Sequence, residues 1–162
     1  ITGQLKPTSG ELTVFGQAPF DNLFVSTNSM LIDREMGLPE VLTLKELMQI
    51  SENFYFNWDK TLAKQLLIDF HLGEDDFYGK LSEEKRLLFH ILLGISSNVK
   101  LTAFDDSMFD IGKSLRKELY NFIKQVQIRN PRIFILASQQ LGELNLLVDE
   151  LIEVEHGRLI SS

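Results

Sequence analysis

Cysteine is absent from this chain. That excludes disulfides, thiolate metal sites and cysteine nucleophiles, and it fits a reducing compartment. A positive charge balance is also lacking. Sixteen Lys and Arg against 23 Asp and Glu give a formal net charge of −7, which argues against a nucleic-acid partner held through its phosphates. No apolar run approaches the roughly 20 residues needed to cross a bilayer. The first residues, ITGQLKPTSGE, have neither the basic start nor the apolar core of a signal peptide. Repeats and low-complexity tracts are missing as well.

What is present is ordinary globular composition. The 162 residues are 44% apolar and 24% charged, enough for one domain, or one domain with a subdomain, around a real core. Residues 1–40 read as turn-rich and strand-like. PTSGELTVFG predicts a turn and a short strand carrying Leu12 and Val14, and NLFVS at 22–26 is a second strand candidate. Gly3 is placed like a helix C-cap, which suggests a chain already under way at Ile1.

From Leu42 to about Ser97 the pattern turns helical. Thr43 is placed as an N-cap, and Leu62, Leu66, Leu67 and Phe70 form a helical face. Ser82 caps a third helix bearing Leu87, Leu88, Ile91, Leu92 and Ile95. The period then changes again. VKLTAF and RIFILAS read as buried strands, SLRKELYNFIKQVQI and QLGELNLLVDE as helices, and LIEVEHGRLIS as two strands around a His156-Gly157 turn. Continuous apolar strands alternating with helices predict an α/β fold with a mostly parallel sheet covered by helices. Its two parts are 1–40 and 98–162, with an all-helical insert at 41–97.

One segment carries candidate chemistry. In LTAFDDSMFDIGKS, residues 101–114, a strand delivers Asp105 and Asp106 at its C-terminal end, and Gly112-Lys113-Ser114 opens a helix. A phosphate-binding loop has the form G-x-x-x-x-G-K-[ST]. Here Ser107 holds the first glycine's place, and Asp105, Asp106 and Asp110 would repel a polyphosphate. The adjacent acids suit a magnesium site at a strand end, one binding the metal and the other orienting or deprotonating water. They also suit an acidic pair capping the next turn, the more usual meaning of such a short motif. The residues alone leave both readings open.

A resemblance over nearly the whole chain bears on the choice. ITGQLKPTSGELTVFGQAP resembles the segment just after the phosphate loop of ATP-binding cassette (ABC) ATPases. LPEVLTLKELM is similar to the start of that family's helical subdomain. KLSEEKRLLFHILLGI stands where its Leu-Ser-Gly-Gly-Gln signature opens a helix. VKLTAFDDSMFDIGKSLRKEL matches its Walker B strand, D-loop and following helix, and RIFILASQQLGELNLLVDELIEVEHGRLI its switch strand, helix and closing hairpin.

The resemblance implies a P-loop NTPase-like sheet with an inserted helical subdomain, ATP and Mg2+ as cofactors, and dimerisation with the same or another ABC ATPase subunit. It also implies a membrane permease as partner, and a cytoplasmic place on the inner face of the cell membrane. Asp105 takes the magnesium-associated position, Asp106 that of the catalytic base and Gln139 that of the switch histidine. Asp33 takes the Q-loop position and Gly112 replaces the D-loop aspartate. Ser82 is kept from the signature, while Glu83, Glu84 and Lys85 replace Gly-Gly-Gln. On this resemblance the phosphate loop belongs upstream of Ile1, and these residues alone are expected to be inactive.

The departures open a second reading, a non-enzymatic partner subunit with a structural or regulatory role. Glutamine cannot carry the proton a histidine can. Two acids stabilise a helix start by roughly 0.3–1 kcal/mol each yet oppose an anion there. Among the other residues, His71 reads as a surface residue and His90 as a satisfied core histidine. The cluster NFYFNW, Phe54 to Trp58, reads as core or subdomain contact, with a docking groove for a partner's coupling helix as the alternative.

Overall fold

A computed structural model describes residues 1–109, 111–139 and 148–160. Asp110 and most of the helix expected over 140–150 lie outside the described residues. Three parallel strands form the central sheet: β1 (Ser29–Ile32), β2 (Leu101–Phe104) and β3 (Ile133–Leu136), in the order β1-β2-β3. Ser29, Leu101 and Ile133 stand in register, as do Ile32, Phe104 and Leu136 at the other end.

Residues 1–22 hold no strand of the expected kind. Val14 makes a single bridge with Gln17 around Phe15-Gly16, and Gly3 has a positive φ against the Pro19 carbonyl, which an added Cβ would meet. NLFVS is a helix, α1 (Leu23–Asn28), instead of a strand. Its polar side chains decide this. Asn22 Oδ1 accepts from Val25 N at 3.2 Å, and Thr27 and Asn28 donate back to the Leu23 and Phe24 carbonyls at 2.8 Å. Such side-chain bonds override the strand preference of Phe and Val. The first strand therefore comes later, at Ser29.

Between β1 and β2 run α2 (Leu44–Phe54), α3 (Lys60–Asp69) and α4 (Glu83–Ser96), with a 3-10 turn at Tyr78–Lys80. Thr43 caps α2 as expected and forms a capping box with Glu46. Helix α4 is buried from Leu87 to Ser96, and each fully buried Leu or Ile contributes roughly 1.5–3 kcal/mol. Gly94 lets α4 lie against the sheet, since an added Cβ would stand 2.6 Å from Ile32 Cγ1.

After β2, a 3-10 turn at Asp106–Phe109 leads to α5 (Lys113–Arg129). The main core joins α4 and α5 to Met30, Ile32 and Phe104 on one sheet face. A smaller cluster of Val14, Val25 and Leu101 covers the other. β3 is less buried than expected: Ile133 is 50% exposed, and among the described residues β3 pairs only with β2. The His156-Gly157 turn joins β4 (Glu153–Glu155) to β5 (Arg158–Ile160) as an antiparallel hairpin, with positive φ at both turn residues as a tight hairpin requires.

Candidate functional site

The three strands are parallel, so their C-terminal ends share one edge of the sheet. Asp33 follows β1, Asp105 follows β2, and Ala137 to Gln139 follow β3. Asp105 N donates to Ile32 O at 3.0 Å and Ala137 N to Phe104 O at 3.0 Å. The ladder thus continues past the strands and fixes the heights of Asp105 and Ala137. This carboxyl edge is where open α/β sheets bind ligands.

Asp105 turns back on its own loop. Its Oδ2 accepts from Ser107 Oγ at 2.7 Å and from Ser107 N at 3.4 Å. The Ser107 hydroxyl, more than any other group, holds the Asp105 carboxyl below the usual carboxylate range. The turn is anchored from below by Met108, which is fully buried and donates from its N to Asp105 O at 3.0 Å. The turn-capping geometry is therefore present in full.

Asp106 and Gln139 come together across 33 residues. Gln139 N donates to Asp106 Oδ1 at 3.2 Å. The bond is made by the backbone, so the Gln139 side chain takes no part in it. Asp33 Oδ1 is buried and meets no hydrogen-bond partner among the described residues.

The start of α4 closes one side. Ser82 Oγ accepts from Lys85 N at 3.4 Å, which is N-cap geometry. Glu83 reaches Arg34 Nη1 at 3.4 Å. That ion pair ties the residue after Asp33 to the first turn of α4, although both side chains are well exposed and such pairs contribute about 0–1 kcal/mol. Glu84 is exposed, Lys85 half-buried, and Gly112 stands as the N-cap of α5 with no side chain to offer. The acids Asp105 and Asp106, Gln139 and Asp33 thus share the sheet edge. Ser82 to Lys85 lie beside Asp33, and Gly112 belongs to a separate helix start.

Among the described residues no three His, Cys, Asp or Glu side chains converge as a cation cage. The donor chemistry of Asp105 still fits magnesium, which takes one or two carboxylates and completes its shell with waters and substrate phosphates. The sequence contains no G-x-x-x-x-G-K-[ST] loop. Instead of a phosphate cradle, residues 106–109 form a tight 3-10 turn.

Sequence reasoning missed a cavity of about 480 Å3 beside this edge, lined chiefly by Arg34, Met36, Leu38, Tyr78, Glu83 and Leu87. It also missed Arg132. Its guanidinium donates to Asn98 Oδ1 and Ile95 O, both at 2.6 Å, and so clamps β3 to the end of α4. Burial pushes its pKa down to about 10. Only the Pro131-Arg132 start of an apolar strand hints at that role. His90 is buried with both ring nitrogens hydrogen-bonded, as expected of a core histidine, and His71 is exposed just past α3. Of the aromatic cluster, Phe54 and Phe56 are exposed while Tyr55 and Trp58 pack against the core.

No protein-family model matches the chain. Across its whole length it is 23% identical, over 177 residues, to the bovine retinal-specific phospholipid-transporting ATPase ABCA4, and it spans 7% of that relative's length. Among solved structures, the ATP-binding subunit of an ABC transporter superposes with a TM-score of 0.83 at 17% identity, covering 98% of this chain and 68% of that one. A nucleotide-free ATP-binding cassette from an ABC transporter gives 0.74 at 18%, with 99% and 72% covered. CbiO1 of Clostridium perfringens, part of an ABC transporter complex, gives 0.75 at 14%, with 99% and 68% covered. At these identities the likeness is one of fold: the chain carries the fold of the ATP-binding subunits of ABC transporters.

Proposed function

We propose that this chain is the greater part of an ATP-binding subunit of an ABC transporter, and that it couples to a membrane permease from the cytoplasmic side. On this reading residues 1–40 and 98–162 form the α/β core and 41–97 the helical subdomain. One observation carries the reading. The adjacent acids Asp105 and Asp106 stand at the carboxyl edge of a parallel sheet of this fold, and Gln139, 33 residues on from Asp106, meets Asp106 there.

Asp105 would hold Mg2+ together with the nucleotide's phosphates, and the metal would supply charge neutralisation there. Asp106, kept in place by Gln139 N, would orient an attacking water. Gln139 would offer its amide to a phosphate oxygen. Asp33 brings a buried acceptor oxygen to the same edge, which suits a hydroxyl or a water. Gly112, Ser82, Glu83, Glu84 and Lys85 would face a second ATPase subunit across the nucleotide. Exposed Phe54 and Phe56 offer an apolar surface to the permease. No helix among the described residues is long and apolar enough to cross a membrane.

A second reading has its own observation. Glu83 stands at the start of α4 and is paired with Arg34, so a carboxylate lies where a partner's phosphate would approach. That favours a non-enzymatic subunit whose role is structural or regulatory. Steady-state ATP hydrolysis separates the two, measured on the chain joined to a Gly-x-x-x-x-Gly-Lys-Ser/Thr segment, alone and with a second ABC ATPase subunit. Turnover that Asp106→Asn lowers by roughly 10²- to 10⁴-fold supports the enzyme. Binding without turnover supports the second reading, and absence of binding overturns both.

A further inference from the structure

A groove of about 230 Å3 lies between α2 and α3 and shares no lining residue with the 480 Å3 cavity. Helix α2 gives it Lys45, Met48 and Glu52, and α3 gives it Lys60, Ala63 and Lys64, in each case at the spacing of one helical face. Trp58 joins them from the turn between the two helices. The floor is apolar, with Met48 and Ala63 both buried. Ala63 leaves the depression open, since a longer side chain at that position would fill it.

The walls are held by the chain itself. Trp58 N donates to Tyr55 O at 3.1 Å, and the next residue, Asp59, caps α3 through Leu62 N at 2.9 Å and donates from its own N to Ser96 O at 2.8 Å. Lys60 Nζ reaches both carboxylate oxygens of Glu52, at 3.1 and 3.0 Å, and joins the helices at that end. At the other end Lys45 N donates to Glu74 O at 2.9 Å. Lys45 and Glu52 stand about 10 Å apart along α2 at the helical rise. Lys60 and Glu52 neutralise each other. Lys45 and Lys64 are exposed and form no ion pair among the described residues. Glu74 is the one lining carboxylate set against them. In a chain of net charge −7, the groove thus has a positive margin around an apolar floor.

We propose that this groove docks an acidic segment of a partner protein, with one large apolar side chain seated on Met48, Trp58 and Ala63 and flanking carboxylates set against Lys45 and Lys64. Size argues against a free small molecule. Pockets for such ligands run to about 300–1,000 Å3, whereas 230 Å3 suits a single anchoring side chain. A length of about 10 Å matches two turns of a helix or three extended residues. The side chains are of the kind that anchors interfaces: aromatic residues and Met are enriched there, and Met adapts its shape to what it meets. Lysine stems add apolar cover while their heads stay free to meet a carboxylate. Charge complementarity selects the partner, since a basic segment would meet Lys45 and Lys64 as like charges. The groove needs no bound nucleotide, and the inference stands apart from the ATP reading.

Trp58 is the only tryptophan of the chain, so its fluorescence reports on the groove directly. The probe is the blocked peptide Glu-Asp-Phe-Glu-Asp-Leu, and its control Lys-Lys-Phe-Lys-Lys-Leu keeps the apolar anchors and reverses the charge. The acidic peptide should shift Trp58 emission to shorter wavelength in a saturable way, and the basic one should not. Amide shifts should move in residues 45–52 and 58–64 and leave β2 unmoved. Added salt should weaken the binding. Lys45→Glu with Lys64→Glu should weaken it about tenfold or more, Lys45→Arg with Lys64→Arg should preserve it, and Glu74→Gln should tighten it severalfold. All of these positions are exposed, so the variants should fold, and unmoved β2 amides would verify that they do. No saturable shift, an equal response to the basic peptide, or binding that survives the charge reversal would overturn the proposal. So would the same shift produced by acetate or by anionic lipid vesicles, which would make the groove a site for any anion or for a membrane surface.

Discussion

Asp105 shows how one hydroxyl sets the state of an acid. Ser107 Oγ donates to its Oδ2 at 2.7 Å and, by stabilising the carboxylate, lowers its pKa. Ser107→Ala should therefore raise the Asp105 pKa, read by 13C shifts of its carboxyl, and the acid should then be less fully ionised near pH 4. An unmoved titration would show that the hydrogen bond is not formed in solution. His90 gives a second pH effect. Its folded pKa lies below 6.5 because it is buried, so between the two values the unfolded chain binds more protons than the folded one. Its contribution is complete above 6.5 and is lost as pH falls from there toward the lowered value. Thermal melts should show His90→Phe losing that acid-side dependence. The adjacency of Asp105 and Asp106 was legible because both are adjacent in the chain. The Asp106–Gln139 bond was not, since 33 residues separate them and only strand register brings them together. The orphaned Asp33 oxygen and the hydrogen bonds of buried His90 to Asp33 O and Tyr78 Oη had no sequence signal beyond residue type.

Among the elements, those with strong local signals were readable. Helix α4 announced itself by Ser82 and its apolar spacing, α2 by Thr43, and the last hairpin by His156-Gly157. Elements decided by competing weak terms were not. Apolar Leu23, Phe24 and Val25 suggest a strand, but Asn22, Thr27 and Asn28 bond to the backbone and make a helix. β1 went unseen because SMLI continues that apolar stretch without a turn signal. Close packing supplies a sharper test. Gly94→Ala should gain roughly 1 kcal/mol in helix propensity, yet Ile32 is fully buried and cannot move aside. Overpacking costs typically 1–3 kcal/mol, so a net loss in denaturant midpoint is expected, and a gain would mean that α4 stands off the sheet. For the start of α4, Glu83→Gly with Glu84→Gly should lower thermal stability through lost propensity and dipole contacts. If that helix start meets a partner's nucleotide, the same change should raise the ATP-bound dimer population in light scattering. A fall in both would leave only ordinary helix-start residues.

For the molecule as a whole, the sheet, the helices between β1 and β2 and the carboxyl-edge acids form one plan, and the likeness to ATP-binding subunits extends over 98% of the chain. The α/β class was legible from the change of period at 98–104. The exposure of β3 was not, because pattern alone cannot say how many neighbours a strand has. The phosphate cradle is not built by these residues, so Mg·ATP should bind the chain only weakly. Paramagnetic Mn2+ is a hard, oxygen-seeking stand-in for Mg2+, and its relaxation effects report weak sites well. With ATP present, Mn2+ should broaden the amides of Asp105, Asp106 and Gln139 first, and Asp105→Asn should abolish that broadening. Broadening centred instead on Glu83 and Glu84 or on Glu74 to Asp76, or broadening at the sheet edge that survives Asp105→Asn, would contradict the placement of the metal–nucleotide site.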